Sequence, residues 1–178
     1  MKYALVYGSL AGLVVIGSIG LGLTFADRDG FFTSEYLGYL VMLVALTLIF
    51  VGVKRYRDVE RGGVIRFLPA LGMGFAIAVV AAATYVLTWE IYLASTDYAF
   101  MNDYIASIAE QRRAEGVPEA VLAQQMAEYE WMREAYDNPF MRIPITFLEI
   151  LPVGLLIALV SAALLRNPRL LPAARPTT

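Results

Sequence analysis

Hydrophobic positions along this chain fall in four long runs separated by polar stretches of unequal length. The runs are Tyr3 to Phe25, Tyr36 to Val53, Phe67 to Leu93 and Ile143 to Leu165. A helix crosses the hydrocarbon core of a bilayer with roughly 20 apolar residues at about 1.5 Å of rise each. Each run therefore predicts a transmembrane helix. Residues 94–141, between the third and fourth runs, read differently. Met101, Tyr104, Ile105 and Ile108 recur at three- and four-residue intervals, the period of an amphipathic helix. Gly116-Val117-Pro118-Glu119 then breaks the chain and restarts it, with proline at a first-turn position and an acid beside it. Leu122, Met126, Tyr129, Trp131, Met132 and Tyr136 mark a second helix that ends before Asn138-Pro139. The expected fold is an all-α membrane protein with four transmembrane helices. An extramembrane helical hairpin, packed on itself or on the membrane surface, is expected between the third and fourth.

The first run raises the question of a signal peptide, because Thr24-Phe25-Ala26 loosely resembles a cleavage site. A signal h-region spans only about 7–15 residues, so a retained helix is the expectation. Small residues suggest where helices meet: Gly8 and Gly12 form a GxxxG pair, and Gly72, Gly74 and Gly154 punctuate later spans. Lipid supplies no hydrophobic drive between helices, so close backbone approach is one way they associate.

The polar connections give orientation. Asp27 to Gly30 reads as a short turn, and Glu35 as an acid suited to a helix N-terminus. Tyr36 and Tyr39 fall where amphipathic rings favour the membrane interface. Lys54, Arg55, Arg57, Arg61 and Arg66 surround one short loop, and Arg166 and Arg169 follow the last span. Basic residues beside spans favour the cytoplasmic side. Both termini are thus expected inside and the hairpin outside, in the periplasm if the membrane is a bacterial inner membrane.

Composition narrows the chemistry. The 178 residues are 59% hydrophobic and 17% charged, too apolar for an ordinary soluble domain, which makes the lipid bilayer the first partner. A net charge of −2 gives no electrostatic footprint for nucleic acid. The chain has no Cys and no His, which removes thiolate chemistry, the commonest metal ligand and the usual neutral-pH base. No cofactor, metal site or catalytic residue is therefore assigned, and the reading leans away from an enzyme. Nine acids in residues 94–141 outnumber three arginines, and a protein partner is expected to meet the chain there.

One cluster does carry possible chemistry. Glu149 lies six residues past Ile143, about 9 Å along its helix. Glu90 lies near the outer end of the third span, so in neighbouring antiparallel helices the two carboxylates would differ in depth by about one turn. Pro152 cannot donate to the carbonyl of Leu148, and Thr146 sits one turn before Glu149. Three readings stay open. Glu149 is buried and paired with Arg142, a tyrosine hydroxyl or Thr146, while Glu90 only reaches the interface. Alternatively Glu149 and Glu90 form a proton- or cation-binding site, or the paired carboxylates hydrolyse a substrate.

Several short segments occur in a characteristic order: Tyr7-Gly8 with Ala11-Gly12, then Leu48-Ile49-Phe50 running to Tyr56-Arg57-Asp58. Gly62 to Phe67, Thr88-Trp89-Glu90-Ile91-Tyr92, Asn138-Pro139 and Thr146 to Gly154 complete it. Together, from Tyr7 to about Leu165, they resemble a family of small bacterial integral membrane proteins classed as a domain of unknown function. The resemblance implies four transmembrane helices with a long polar insert before the last. It implies no established activity.

Overall fold

A computed structural model describes residues 1–25 and 35–173, with side chains over 1–20 and 39–173. The turn at Asp27 to Gly30, the side chains of Glu35 and Tyr36, and Ala26 of the cleavage-like triplet lie outside the described residues. Six helices follow one another: α1 (Lys2–Phe25), α2 (Glu35–Glu60), α3 (Phe67–Ser95), α4 (Phe100–Ala114), α5 (Glu119–Asp137) and α6 (Pro139–Leu165). There is no strand among the described residues. Four of the helices, α1, α2, α3 and α6, are long and apolar enough to cross a membrane. The protein is an all-α, multi-pass membrane protein in contact with the lipid bilayer, and α4 and α5 form its polar hairpin.

The helices run beyond the apolar runs that predict them, for local reasons. α6 starts four residues before Ile143, because Asn138-Pro139 is a complete start signal. Proline suits the first helical position, and Asn138 Oδ1 accepts the Phe140 N–H at 3.0 Å. This brings Arg142 into the first turn of α6. α2 continues seven residues past Val53, so the basic cluster is helical up to Glu60. Gly62 and Gly63, both at positive φ, then turn the chain.

Two compact units are distinguished: residues 1–88 with 147–178, and residues 89–146. The first holds α1, α2 and most of α3 and α6. Leu46, Ile49, Val53, Ile77, Ala78, Ala81, Ile150 and Ala158 are fully buried there. Its helices approach closely through small residues. A Cβ at Gly8 would stand 2.7 Å from the carbonyl oxygen of Ile77, and one at Gly12 2.6 Å from that of Ala81. A Cβ at Gly74 would meet Ala158 at 2.8 Å, and one at Gly154 would meet Ala78 at 2.9 Å. Gly72 is different. Among the described residues nothing lies within 4 Å of its Cβ position, so it makes none of the close helix contacts of the other four. Two residues advance a helix by about 200°, which puts Gly72 and Gly74 on opposite sides of α3.

The second unit holds the α4–α5 hairpin with the last turns of α3 and the first turns of α6. α4 packs on α5, with Met101, Leu122 and Ala135 buried. Gly116, at φ +80°, makes the reversal between them. An aromatic cluster holds the base. Trp89 Nε1 donates to the Tyr136 hydroxyl at 2.8 Å, and the Trp89 ring meets Phe100 edge-on at 4.9 Å.

Candidate functional site

Most buried residues of α6 fall at four-residue steps, Arg142, Thr146, Ile150, Gly154, Ala158 and Ala162, with Ser161 and Leu165 beside them at the far end. This stripe decides the fate of the candidate side chains on that helix. Arg142, on the stripe, is 3% exposed and forms a two-pronged ion pair. Its Nε donates to Glu90 Oε1 at 2.8 Å and its Nη2 to Glu90 Oε2 at 2.7 Å. Its remaining nitrogen, Nη1, donates to the backbone carbonyl of Tyr136. The guanidinium also lies 4.9 Å from the ring centroid of Tyr98. Tyr98 and the preceding Asp97 both adopt left-handed backbone angles, at φ 57° and 50°. That conformation is uncommon for a bulky side chain, and the Arg142 contact is one interaction that offsets it.

Both oxygens of Glu90 are therefore engaged. Glu90 does more than reach the interface. It ties the end of α3 to the start of α6, and it is not the free second carboxylate that a hydrolytic pair would need.

Glu149 has a different setting. It precedes Ile150 by one residue, hence about 100° off the buried stripe, and it is exposed on its unit, not buried. The Tyr85 hydroxyl donates to Glu149 Oε2 at 3.4 Å, a long hydrogen bond. Of the three partners considered for Glu149, the structure supplies a tyrosine; Arg142 is taken by Glu90. Thr146 lies on the stripe with its hydroxyl oxygen buried and without a hydrogen-bond partner among the described residues. Pro152 is exposed within an uninterrupted helical segment. The five candidates thus divide: Glu90 and Arg142 form one site, Glu149 forms another with Tyr85, and Thr146 and Pro152 join neither by a hydrogen bond.

A third polar centre was not apparent from the basic cluster. Arg57 is fully buried. Its Nε donates to Asp58 Oδ1 at 2.7 Å, Nη1 to the Leu170 carbonyl at 3.0 Å and Nη2 to the Leu171 carbonyl at 2.5 Å. Lys54 Nζ holds the other Asp58 oxygen at 2.5 Å. The signal that would have found it is spacing: Leu46, Ile49, Val53 and Arg57 continue one buried helical stripe. A charge in that register needs partners, and the segment after α6 provides two carbonyls.

On the hairpin, the three arginines pair locally: Arg112 with Glu115, Arg113 with Glu119 and Arg133 with Glu130. Asp97, Asp103, Glu110, Glu128, Glu134 and Asp137 have no ion-pair partner among the described residues. Trp131 stands between Glu128 and Glu134 on α5 and is 64% exposed.

Apolar spans, an internal arginine–glutamate fork and an acidic helical hairpin define the class: a small multi-pass membrane protein with a structured polar insert. The chain belongs to the family described as Protein of unknown function (DUF4199), whose model matches residues 2–167. Comparison with curated proteins and with solved structures gives no match.

Proposed function

We propose that this membrane protein has a non-enzymatic binding or accessory role, with the hairpin of residues 94–141 as its partner-facing element. The observation that carries this reading is Trp131, an exposed tryptophan flanked by two unpaired glutamates. Tryptophan anchors are enriched where proteins bind one another. An acid surplus around such an anchor selects a basic partner and speeds its encounter. The Arg142–Glu90 fork supports the same reading, because it holds the base of the hairpin in one geometry. In this reading the hairpin faces the non-cytoplasmic side, periplasmic in a bacterial inner membrane, an orientation supported by the preference of basic residues beside spans for the cytoplasm. A photo-crosslinking residue at position 131 tests the reading in intact membranes. A discrete protein adduct that is lost when Glu128 and Glu134 become lysine is expected. Adducts with lipid alone would show Trp131 to be an interfacial anchor and would overturn it.

A second reading, a proton- or cation-linked site, is favoured by one observation: an exposed carboxylate, Glu149, within an apolar span, with a tyrosine hydroxyl beside it. With Glu90 held by Arg142, such a site rests on Glu149 and Tyr85. Ion flux in proteoliposomes that is abolished by Glu149→Gln, with melting unchanged, would establish it.

A further inference from the structure

We infer that the membrane-boundary end of α1 and α2 carries a binding site for a phospholipid headgroup, recognised through a phosphate diester and a primary ammonium. α1 begins at Lys2 and α2 ends at Glu60, so two candidate spans terminate together there. Between them lies an open cleft of about 450 Å³ lined by Met1, Lys2, Tyr3, Tyr56, Glu60 and Arg61. Its polar groups are incompletely used. The Tyr56 hydroxyl accepts two N–H groups from Arg61, from Nε at 2.9 Å and Nη2 at 2.7 Å. A hydroxyl that accepts twice still has its own proton to donate. Arg61 Nη1 has no hydrogen-bond partner among the described residues, and the Lys2 side chain is 70% exposed with one of its donors on Glu60. Donors of this kind, lining one cleft, suit an anion.

Glu60 makes the site more selective than a basic patch. Its Oε1 accepts from both Lys2 Nζ at 2.7 Å and the Tyr3 hydroxyl at 3.0 Å, while Oε2 has no partner among the described residues. That acceptor beside the cations suits a ligand with a positive group next to its phosphate. Phosphoethanolamine carries an ammonium that can donate to a carboxylate. Phosphocholine has no N–H to donate, and phosphoglycerol has no positive charge. The Tyr3 and Tyr56 rings, which carry hydroxyls from the two groups of partners, pack edge-on with 5.8 Å between centroids. Basic pockets between transmembrane helices bind anionic lipid headgroups; here the added carboxylate favours one that also carries an ammonium. The site is independent of the hairpin reading and stands or falls separately.

The test uses the full chain in detergent, with phosphatidylethanolamine, phosphatidylglycerol and phosphatidylcholine of identical acyl chains, and lipid retention read by native mass spectrometry. Phosphatidylethanolamine is expected to be retained about tenfold above phosphatidylcholine, the ratio expected from one charge-assisted hydrogen bond. Tyr56→Phe, which removes only the hydroxyl, and Arg61→Ala should each lower that retention severalfold with melting temperature unchanged. Glu60→Gln keeps an acceptor for Lys2 and Tyr3 and should erase the preference over phosphatidylglycerol. Soluble phosphoethanolamine should compete where inorganic phosphate does so weakly. Equal retention of the three lipids, retention unaffected in a folded Tyr56→Phe chain, or no competition by phosphoethanolamine would assign the lipid to the annulus and overturn the site.

Discussion

At Gly74 an added methyl group would have almost no room: its Cβ would stand 2.8 Å from the Cβ of Ala158 and 3.1 Å from its Cα. Two residues earlier, Gly72 meets open space. The two glycines therefore make opposite predictions. Gly74→Ala should destabilise the chain by about 1–3 kcal/mol, as overpacking does in a close-fitting interface. Gly72→Ala should be neutral or stabilise by up to about 1 kcal/mol, since it only removes backbone freedom within a helix. Thermal melting of both variants in the same detergent checks this, and equal shifts would contradict the packing described for α3. The contrast was not legible in the sequence. Both glycines sit in a segment that is apolar all round, so no polar face indicates which side meets a neighbour. Glu149 illustrates the same gap. The sequence identifies a carboxylate in an apolar span, but only the four-residue stripe of Thr146, Ile150 and Gly154 shows that it lies on the flank of the buried side, within reach of Tyr85.

Helices were far more legible than their partners. A run of apolar residues, a three- to four-residue period and a break at Gly116-Val117-Pro118 are local signals, and α1, α3, α4 and α5 can be read from neighbouring residues alone. The pairing of Arg142 with Glu90 joins residues 52 positions apart, and nothing local distinguishes Glu90 from Glu149 as its acceptor. The Arg57 clamp on the carbonyls of Leu170 and Leu171 is longer-ranged still, with backbone atoms whose identity no side chain advertises. The Arg142–Glu90 fork is also where one element depends most on a single interaction. Removing one member of a buried pair costs about 3–5 kcal/mol. Here the Glu90 side chain is 22% exposed, which reduces the penalty. Arg142→Gln should therefore cost about 2–4 kcal/mol and raise the proteolytic sensitivity of residues 94–141. Glu90→Gln should cost less, because Arg142 keeps the Tyr136 carbonyl and the Tyr98 ring. In the double variant the losses should be less than additive, the signature of a direct contact. Strict additivity would mean that the fork contributes nothing as a pair.

For the whole molecule, the decisive quantity is which side of the membrane each polar segment occupies. Two independent features agree. Lys54, Arg55, Arg57, Arg61 and Arg66 cluster about the α2–α3 connection and Arg166 and Arg169 follow α6, whereas residues 94–141 hold nine acids and three arginines. An even number of spans, four, predicts both ends of the chain on one side, which is the arrangement that the basic clusters favour. The absence of cysteine makes the chain directly suited to single-cysteine labelling. Val64, 59% exposed in the α2–α3 connection, and Ala123, exposed on α5, are the informative positions. In intact cells a membrane-impermeant maleimide should label a cysteine at 123 and leave one at 64 unlabelled until the membrane is opened. A cysteine at Asn167 should behave like the one at 64. The reverse pattern would invert the protein, place the acidic hairpin on the cytoplasmic side, and move the headgroup cleft between Lys2 and Arg61 to the opposite leaflet. Protection of all three positions would instead count against any exposed hairpin, and with it the proposal that Trp131 meets a partner.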